Sequence, residues 1–160
     1  MICSRRRIFA IACAIFVPVG VEAAPEVLPL PVKFDPSRDA LRDVDAALQL
    51  AKTTNRRVLV EIGGEWCVRC HIMDRFFTAN PDINALRDAR FVWLKVNYSK
   101  ENSNAALLAR WPKVAGYPHL YVIDTDGRVL HSQDTSALEA GKTYDPAAFR
   151  KFLTEWSPPA

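Results

Sequence analysis

The chain has 160 residues, of which 49% are hydrophobic and 24% are charged, and its formal net charge is only +3 at pH 7. This length suits one globular domain with one core. The nearly balanced charge, with no basic block beyond the first residues, argues against a partner that is nucleic acid or an anionic membrane.

The first 23 residues have the three-part pattern of a secretory signal peptide. A basic start at Arg5–Arg7 precedes an apolar run from Ile8 to Val21, and small residues follow before Pro25. The run is about 14 residues long, shorter than the roughly 20 that span a bilayer. We predict cleavage after Ala23 and a periplasmic location without stable membrane association, with an uncleaved anchor as the alternative.

Cleavage of the signal peptide would change which cysteines remain in the protein. Cys3 and Cys13 leave with the signal peptide, so the mature chain keeps Cys67 and Cys70. One pair three residues apart closes too small a loop to act as a disulfide framework. Two lone thiols in an oxidising compartment therefore indicate chemistry rather than scaffolding.

The rest of the chain alternates between predicted helices and strands. Residues 24–36 contain four prolines and read as an extended lead-in to a domain of residues 37–157. In chain order we predict a helix from 37 or 39 to 53, a strand at 56–62, a helix from about 67, a short helix at 81–87, a strand at 90–97, a helix at 101–111, hairpin strands at 119–124 and 128–133, and a last helix from 146 to about 156. This order predicts an α/β fold with a central mixed sheet flanked by helices, while the strand order stays open.

Residues 67–71 read C-x-x-C-H, a pattern that serves two chemistries. With His71 as an iron ligand it is the spacing for covalent haem attachment. As a dithiol at a helix N-terminus, it would make Cys67 an exposed nucleophile with a lowered pKa, and Cys70 one turn later would resolve the mixed disulfide. A zinc site is not expected, because the three histidines are scattered along the chain.

The segment VLVEIGGEWCVRC, residues 58–70, resembles the thioredoxin-like family, and GYPHLYVIDTDGRVL, residues 116–130, resembles the proline and hairpin segment of the same family. The resemblance extends over roughly residues 40–156 and is greatest to exported members of the bacterial envelope. It implies a thioredoxin-like fold, thiol–disulfide exchange and no bound cofactor.

The resemblance also implies roles for two charged residues. Glu61 matches a buried acid of the family, whose raised pKa would let it relay the proton of Cys70. Lys95 matches the lysine that faces this acid. Both are therefore candidate catalytic residues beside Cys67 and Cys70.

Further residues are expected to contact the substrate or tune the dithiol. Trp66 precedes the first cysteine, Pro118 matches the family's cis-proline, and Tyr117 would offer its backbone to a substrate chain. Arg69 stands where relatives have proline, and its charge would favour the thiolate and make the protein a better oxidant than a Gly-Pro relative.

We therefore predict an exported thiol–disulfide oxidoreductase whose partners are proteins with thiols or disulfides and an upstream redox protein. A c-type haem protein and a non-catalytic thioredoxin-like binding module are the alternatives. The haem interpretation leaves Glu61, Trp66 and Pro118 without a role. The direction of electron flow depends on the redox potential and stays open.

Overall fold

The computed structural model describes residues 29–159, so the predicted signal peptide and the first part of the lead-in lie outside the described residues. The α-helices are α1 (Ala40–Thr54), α2 (Val68–Ala79), α3 (Pro81–Arg90), α4 (Ala105–Leu108) and α5 (Pro146–Glu155). The strands are β1 (Arg57–Gly63), β2 (Phe91–Asn97), β3 (His119–Ile123), β4 (Val129–Asp134), β5 (Glu139–Ala140) and β6 (Thr143–Tyr144), with a 3₁₀ turn at Thr135–Leu138. Within the described range, no helix combines the length and apolar character needed to cross a membrane.

The main sheet has the strand order β2-β1-β3-β4. β1 and β2, which are connected through helices, run parallel, whereas β3 is antiparallel to both β1 and β4. Gly127, with φ of +85°, turns the β3–β4 hairpin in the left-handed region that glycine adopts without strain. The predicted mixed sheet flanked by helices is thus confirmed, and the structure adds the strand order.

Side chains alternate between two apolar layers on the two faces of the sheet. Val58, Val60 and Ile62 of β1 pack on the layer formed with α1. Leu59 packs on the opposite layer, formed with α2 and α5, to which Met73, Phe76, Phe149, Phe152 and Leu153 belong. Because the alternation has a period of two, Glu61 and Gly63 lie on the same face as Leu59, beneath α2.

The long helices begin where polar side chains satisfy free backbone donors. The Asp39 side chain accepts a hydrogen bond from the N–H of Leu41, and Asp145 accepts from the second and third residues of α5. Asn55, at φ of 51°, ends α1 in a left-handed conformation. These contacts set the ends of the helices close to the predicted positions.

The helix predicted at 101–111 is wrong in extent, since only Ala105–Leu108 is helical. Asparagine side chains hold the preceding segment in turns: Asn97 donates to the carbonyl of Asn102, and Asn104 donates back to the carbonyl of Asn97. Such local side-chain bonds compete with the helix for the backbone. The segment between the strand predicted at 128–133 and the last helix, for which no element was predicted, also has structure, namely the 3₁₀ turn and the β5–β6 hairpin.

Candidate active site

The two cysteines form a disulfide at the N-terminus of α2. Cys67 is the N-cap, and its Sγ accepts a hydrogen bond from the Cys70 N–H at 3.2 Å. Backbone N–H groups and the dipole at a helix start stabilise negative charge, so this sulfur is placed to be a thiolate after reduction. The expectation of an exposed Cys67 is wrong, because only 3% of the residue is exposed and Cys70 is fully buried.

Gly63 provides the space in which Cys70 sits. A Cβ at this position would lie 2.4 Å from Cys70 Sγ, closer than any side chain allows. Glu61, two residues earlier on the same face of β1, is fully buried. Glu61 therefore lies on the same face of β1 as the glycine against which the inner sulfur packs.

Burial raises the pKa of Glu61 from the ordinary glutamate value of 4.5 to about 7, and the positive charge of Lys95 opposes part of that rise. Lys95 faces Glu61 across the parallel β1–β2 register, with Nζ 3.1 Å from Oε2. Among residues 29–159, no group donates a well-directed hydrogen bond to either oxygen of Glu61, so Lys95 acts on this carboxyl mainly through its charge. At neutral pH this acid is poised to hold or release a proton.

Asp74 is the third member of this charged group, and the sequence analysis missed it. Lys95 Nζ donates a hydrogen bond to Asp74 Oδ1 at 2.7 Å, while the Asp74 side chain remains 47% exposed. Asp74 lies four residues after Cys70, on the same face of α2 one turn later. That spacing is the sequence signal that could have identified it.

An aromatic cluster adjoins the disulfide on the side that faces solvent. Trp66 is 54% exposed, its ring packs in a T-shaped arrangement with Tyr117, and its indole N–H donates to the Tyr98 carbonyl at 2.7 Å. Tyr117 stacks on Tyr98 with ring centroids 4.9 Å apart and belongs to the packing around both cysteines. Tyr98 follows β2 directly and was not predicted.

The Tyr117–Pro118 peptide is cis. Thr135 fixes this loop, because its hydroxyl donates to the Pro118 carbonyl at 2.6 Å in a buried setting. The structure thus brings Trp66 and Tyr117 to the surface around the disulfide, and Pro118 follows Tyr117 as a buried residue. Their contact with a substrate chain remains a proposal.

Arg69, between the cysteines, is paired with an acid from a distant part of the chain. Its Nε donates to Glu139 Oε1 at 2.8 Å, and a second nitrogen contacts Glu139 Oε2. Its guanidinium also lies 5.5 Å from the centre of the Tyr144 ring. The charge that was expected to act on the thiolate is therefore largely balanced by Glu139.

His71 and the sulfurs are arranged differently from a haem attachment site. The sulfurs bond to each other, and His71 Nε2 contacts the main-chain carbonyl of Glu65 at 2.8 Å. In residues 29–159, no three histidine, cysteine or acidic side chains gather as metal ligands would. The observed bonds are those of a redox dithiol.

A family model described as thioredoxin-like matches residues 39–125. The thiol:disulfide interchange protein DsbD of Pseudomonas fluorescens is 33% identical over 92 residues, which cover 57% of this chain but 15% of that protein. The disulphide isomerase structure from Xylella fastidiosa is 25% identical, with a TM-score of 0.65 over 80% of this chain and 97% of the other. The oxidised C-terminal domain of DsbD from Neisseria meningitidis shares the fold, with a TM-score of 0.52 at 17% identity over 74% and 93% of the two chains.

These similarities and the Cys67–Cys70 bond support thiol–disulfide oxidoreductase activity. The family match spans more than half of the chain, and the strand, dithiol and hairpin that carried the resemblance all lie in or adjoin it. This chain belongs to the thioredoxin-like family.

Proposed function

We propose that this protein is an exported oxidoreductase that exchanges the Cys67–Cys70 disulfide with thiols and disulfides of other proteins in the bacterial envelope. The observation that carries the proposal is a disulfide at a helix N-terminus, with a buried acid two residues from the glycine against which its inner sulfur packs. The names of the similar proteins agree with such chemistry.

The exchange starts when a partner thiolate attacks Cys67 Sγ. A bond forms between the partner sulfur and Cys67, the Cys67–Cys70 bond breaks, and Cys70 leaves as a thiolate. Glu61, when protonated, donates its proton to this buried thiolate, which would otherwise be an isolated charge away from water.

A second thiolate of the partner then attacks the partner sulfur of the mixed disulfide. The partner acquires a disulfide, Cys67 leaves as a thiolate, and its charge is stabilised by the Cys70 N–H. Two electrons have passed from the partner dithiol to this protein. The same steps in reverse reduce a partner disulfide, so the relative potentials of the partners set the direction.

The envelope location is supported by the basic start and the apolar run of the first 23 residues. Thiol–disulfide exchange between proteins is typical of compartments outside the cytoplasm, where disulfides persist. Trp66, Tyr117 and Pro118 would form the surface on which the partner chain lies.

The test is equilibration of the purified protein with glutathione buffers, together with reduction of insulin disulfides under a supply of reductant. The wild type should show one dithiol–disulfide equilibrium, and Cys67→Ala should abolish insulin reduction. Cys70→Ser should accumulate a mixed disulfide with the partner, because the resolving thiol is gone.

Equal insulin reduction by the wild type and Cys67→Ala would refute the proposal. So would an intense Soret band with both sulfurs in thioether bonds, which would establish the haem alternative. A binding module would instead retain its cellular function after Cys67→Ala.

A further inference from the structure

We propose that Phe34 is a positioning residue that keeps water away from Cys70 and the Glu61–Lys95 pair, and thereby makes the lead-in segment a part of the active site. This inference rests on the proposed function, since it concerns how the inner thiol receives its proton. Phe34 lies before residue 39, where the family match begins.

The Phe34 ring closes the space beside Gly63. Only 3% of Phe34 is exposed, and it forms one apolar cluster with Cys67 and Cys70. A Cβ at Gly63 would lie 2.9 Å from the tip of this ring as well as 2.4 Å from the Cys70 sulfur. The ring and the inner sulfur therefore meet over the same glycine.

The same ring bounds the charged pair. Lys95 Nζ lies 4.5 Å from the centre of the Phe34 ring, the position in which an aromatic face attracts a cation. The ammonium group thus contacts the ring, Glu61 and Asp74. Without the ring, water would reach Lys95 and the buried carboxyl from the lead-in side.

Three polar contacts hold the lead-in in this position. The Phe34 N–H donates to Glu65 Oε1 at 3.2 Å. On either side of it, Arg38 donates to the Pro29 carbonyl at 3.2 Å, and Asn102 donates to the Pro36 carbonyl at 2.9 Å. Prolines limit the alternative backbone conformations of this segment.

The consequence for the chemistry follows from solvation. A carboxyl or thiol out of contact with water keeps its proton to higher pH, because its charged form loses hydration. If Phe34 supplies part of that exclusion, removing the ring should bring the pKa of Glu61 back towards its ordinary value. It should also make Cys70 a more accessible and more acidic thiol.

The experiment uses Cys67→Ser as background, so that Cys70 is the remaining thiol of the reduced domain. In this background we compare Phe34→Ala with Phe34→Leu, which keeps an apolar side chain in place. Iodoacetamide alkylation of Cys70, localised by mass spectrometry, is followed from pH 5 to 10, and the Glu61 carboxyl is titrated by carbon-detected NMR.

Phe34→Ala should increase the alkylation rate at pH 7 by about tenfold and shift the midpoints of both titrations to lower pH, while Phe34→Leu stays within about twofold of the background. Glu65→Ala, which releases the Phe34 backbone but keeps the ring, should produce a smaller change of the same sign and serves if Phe34→Ala does not fold.

Unchanged midpoints and rates in the variants that fold, even with reduced stability, would show that Phe34 only fills the core and would overturn the proposal. Failure of the wild type to exchange disulfides would instead refute the proposed function, because the alkylation assay does not depend on exchange.

Discussion

Replacing Glu61 with glutamine should change how the stability of the protein depends on pH. The carboxyl is fully buried, and its pKa of about 7 exceeds the ordinary value of 4.5 because the charged form loses its hydration. The folded state therefore binds this proton more tightly than the unfolded chain does. Glutamine has the same shape and does not ionise.

The direction in which the stability changes with pH follows from the pKa values of Glu61 in the folded and unfolded states. Well below pH 4.5 the acid is protonated in both states and makes no pH-dependent contribution. As the pH rises to about 7, the unfolded chain ionises first, and folding loses roughly 3 kcal/mol that does not return at higher pH. In Glu61→Gln this loss should be absent.

The assay is urea unfolding of the oxidised protein at intervals from pH 4.5 to 8. The difference in unfolding free energy between Glu61→Gln and the wild type should move by roughly 3 kcal/mol in favour of the variant across this range. The substitution also removes one partner charge of Lys95, which shifts the free-energy difference by a constant amount, although Lys95 keeps its contact with Asp74. The prediction therefore concerns how this difference changes with pH and not its absolute value. Glu155→Gln, an exposed change on α5, serves as the control. If the unfolding free energies of Glu61→Gln and the wild type changed with pH in parallel, the reasoning would be refuted.

Other changes test the remaining contacts. Glu139→Gln should release the charge of Arg69 and make the protein more oxidising by about two- to threefold in its equilibrium with glutathione, an effect that should vanish when Arg69→Gln is also present. Gly63→Ala should lower the unfolding free energy of the oxidised protein by about 1–3 kcal/mol, measured in urea, because the new methyl group would overlap the Cys70 sulfur. Lys95→Met should raise the pKa of the buried glutamate above its present value, as seen by NMR, because the cation that lowers that pKa is gone.

The sequence was sufficient to predict the structure wherever a local pattern of residues determines it. The apolar run of β1, the two glycines and the dithiol predicted a strand followed by a helix N-terminus, and that is where Cys67 lies. Glu61 and Lys95 were paired by family resemblance, and the parallel register places them opposite each other. Their roles in proton transfer stay predictions.

Contacts between residues that are far apart in the sequence could not be predicted from the sequence alone. Phe34 reads as one apolar residue among prolines, and nothing nearby indicates that the lead-in turns back to the disulfide. Glu139 meets Arg69 from 70 positions away, on a two-residue strand too short to produce a periodic pattern. Cys67 was expected to be exposed because a helix N-terminus usually is, but tertiary packing around the cysteines buries it.

The stability that Glu61 costs and the proton donation that we propose for it have one physical origin. With its ordinary pKa, this acid would be ionised at neutral pH and would hold no proton for Cys70 when the disulfide opens. A pKa raised to about 7 lets the acid keep its proton up to neutral pH. A donated proton must then be replaced, and Lys95 joins the buried acid to Asp74, whose side chain reaches solvent. In the role that we propose, burial keeps the proton on the acid, and the contacts of Lys95 with Glu61 and Asp74 connect that acid to solvent.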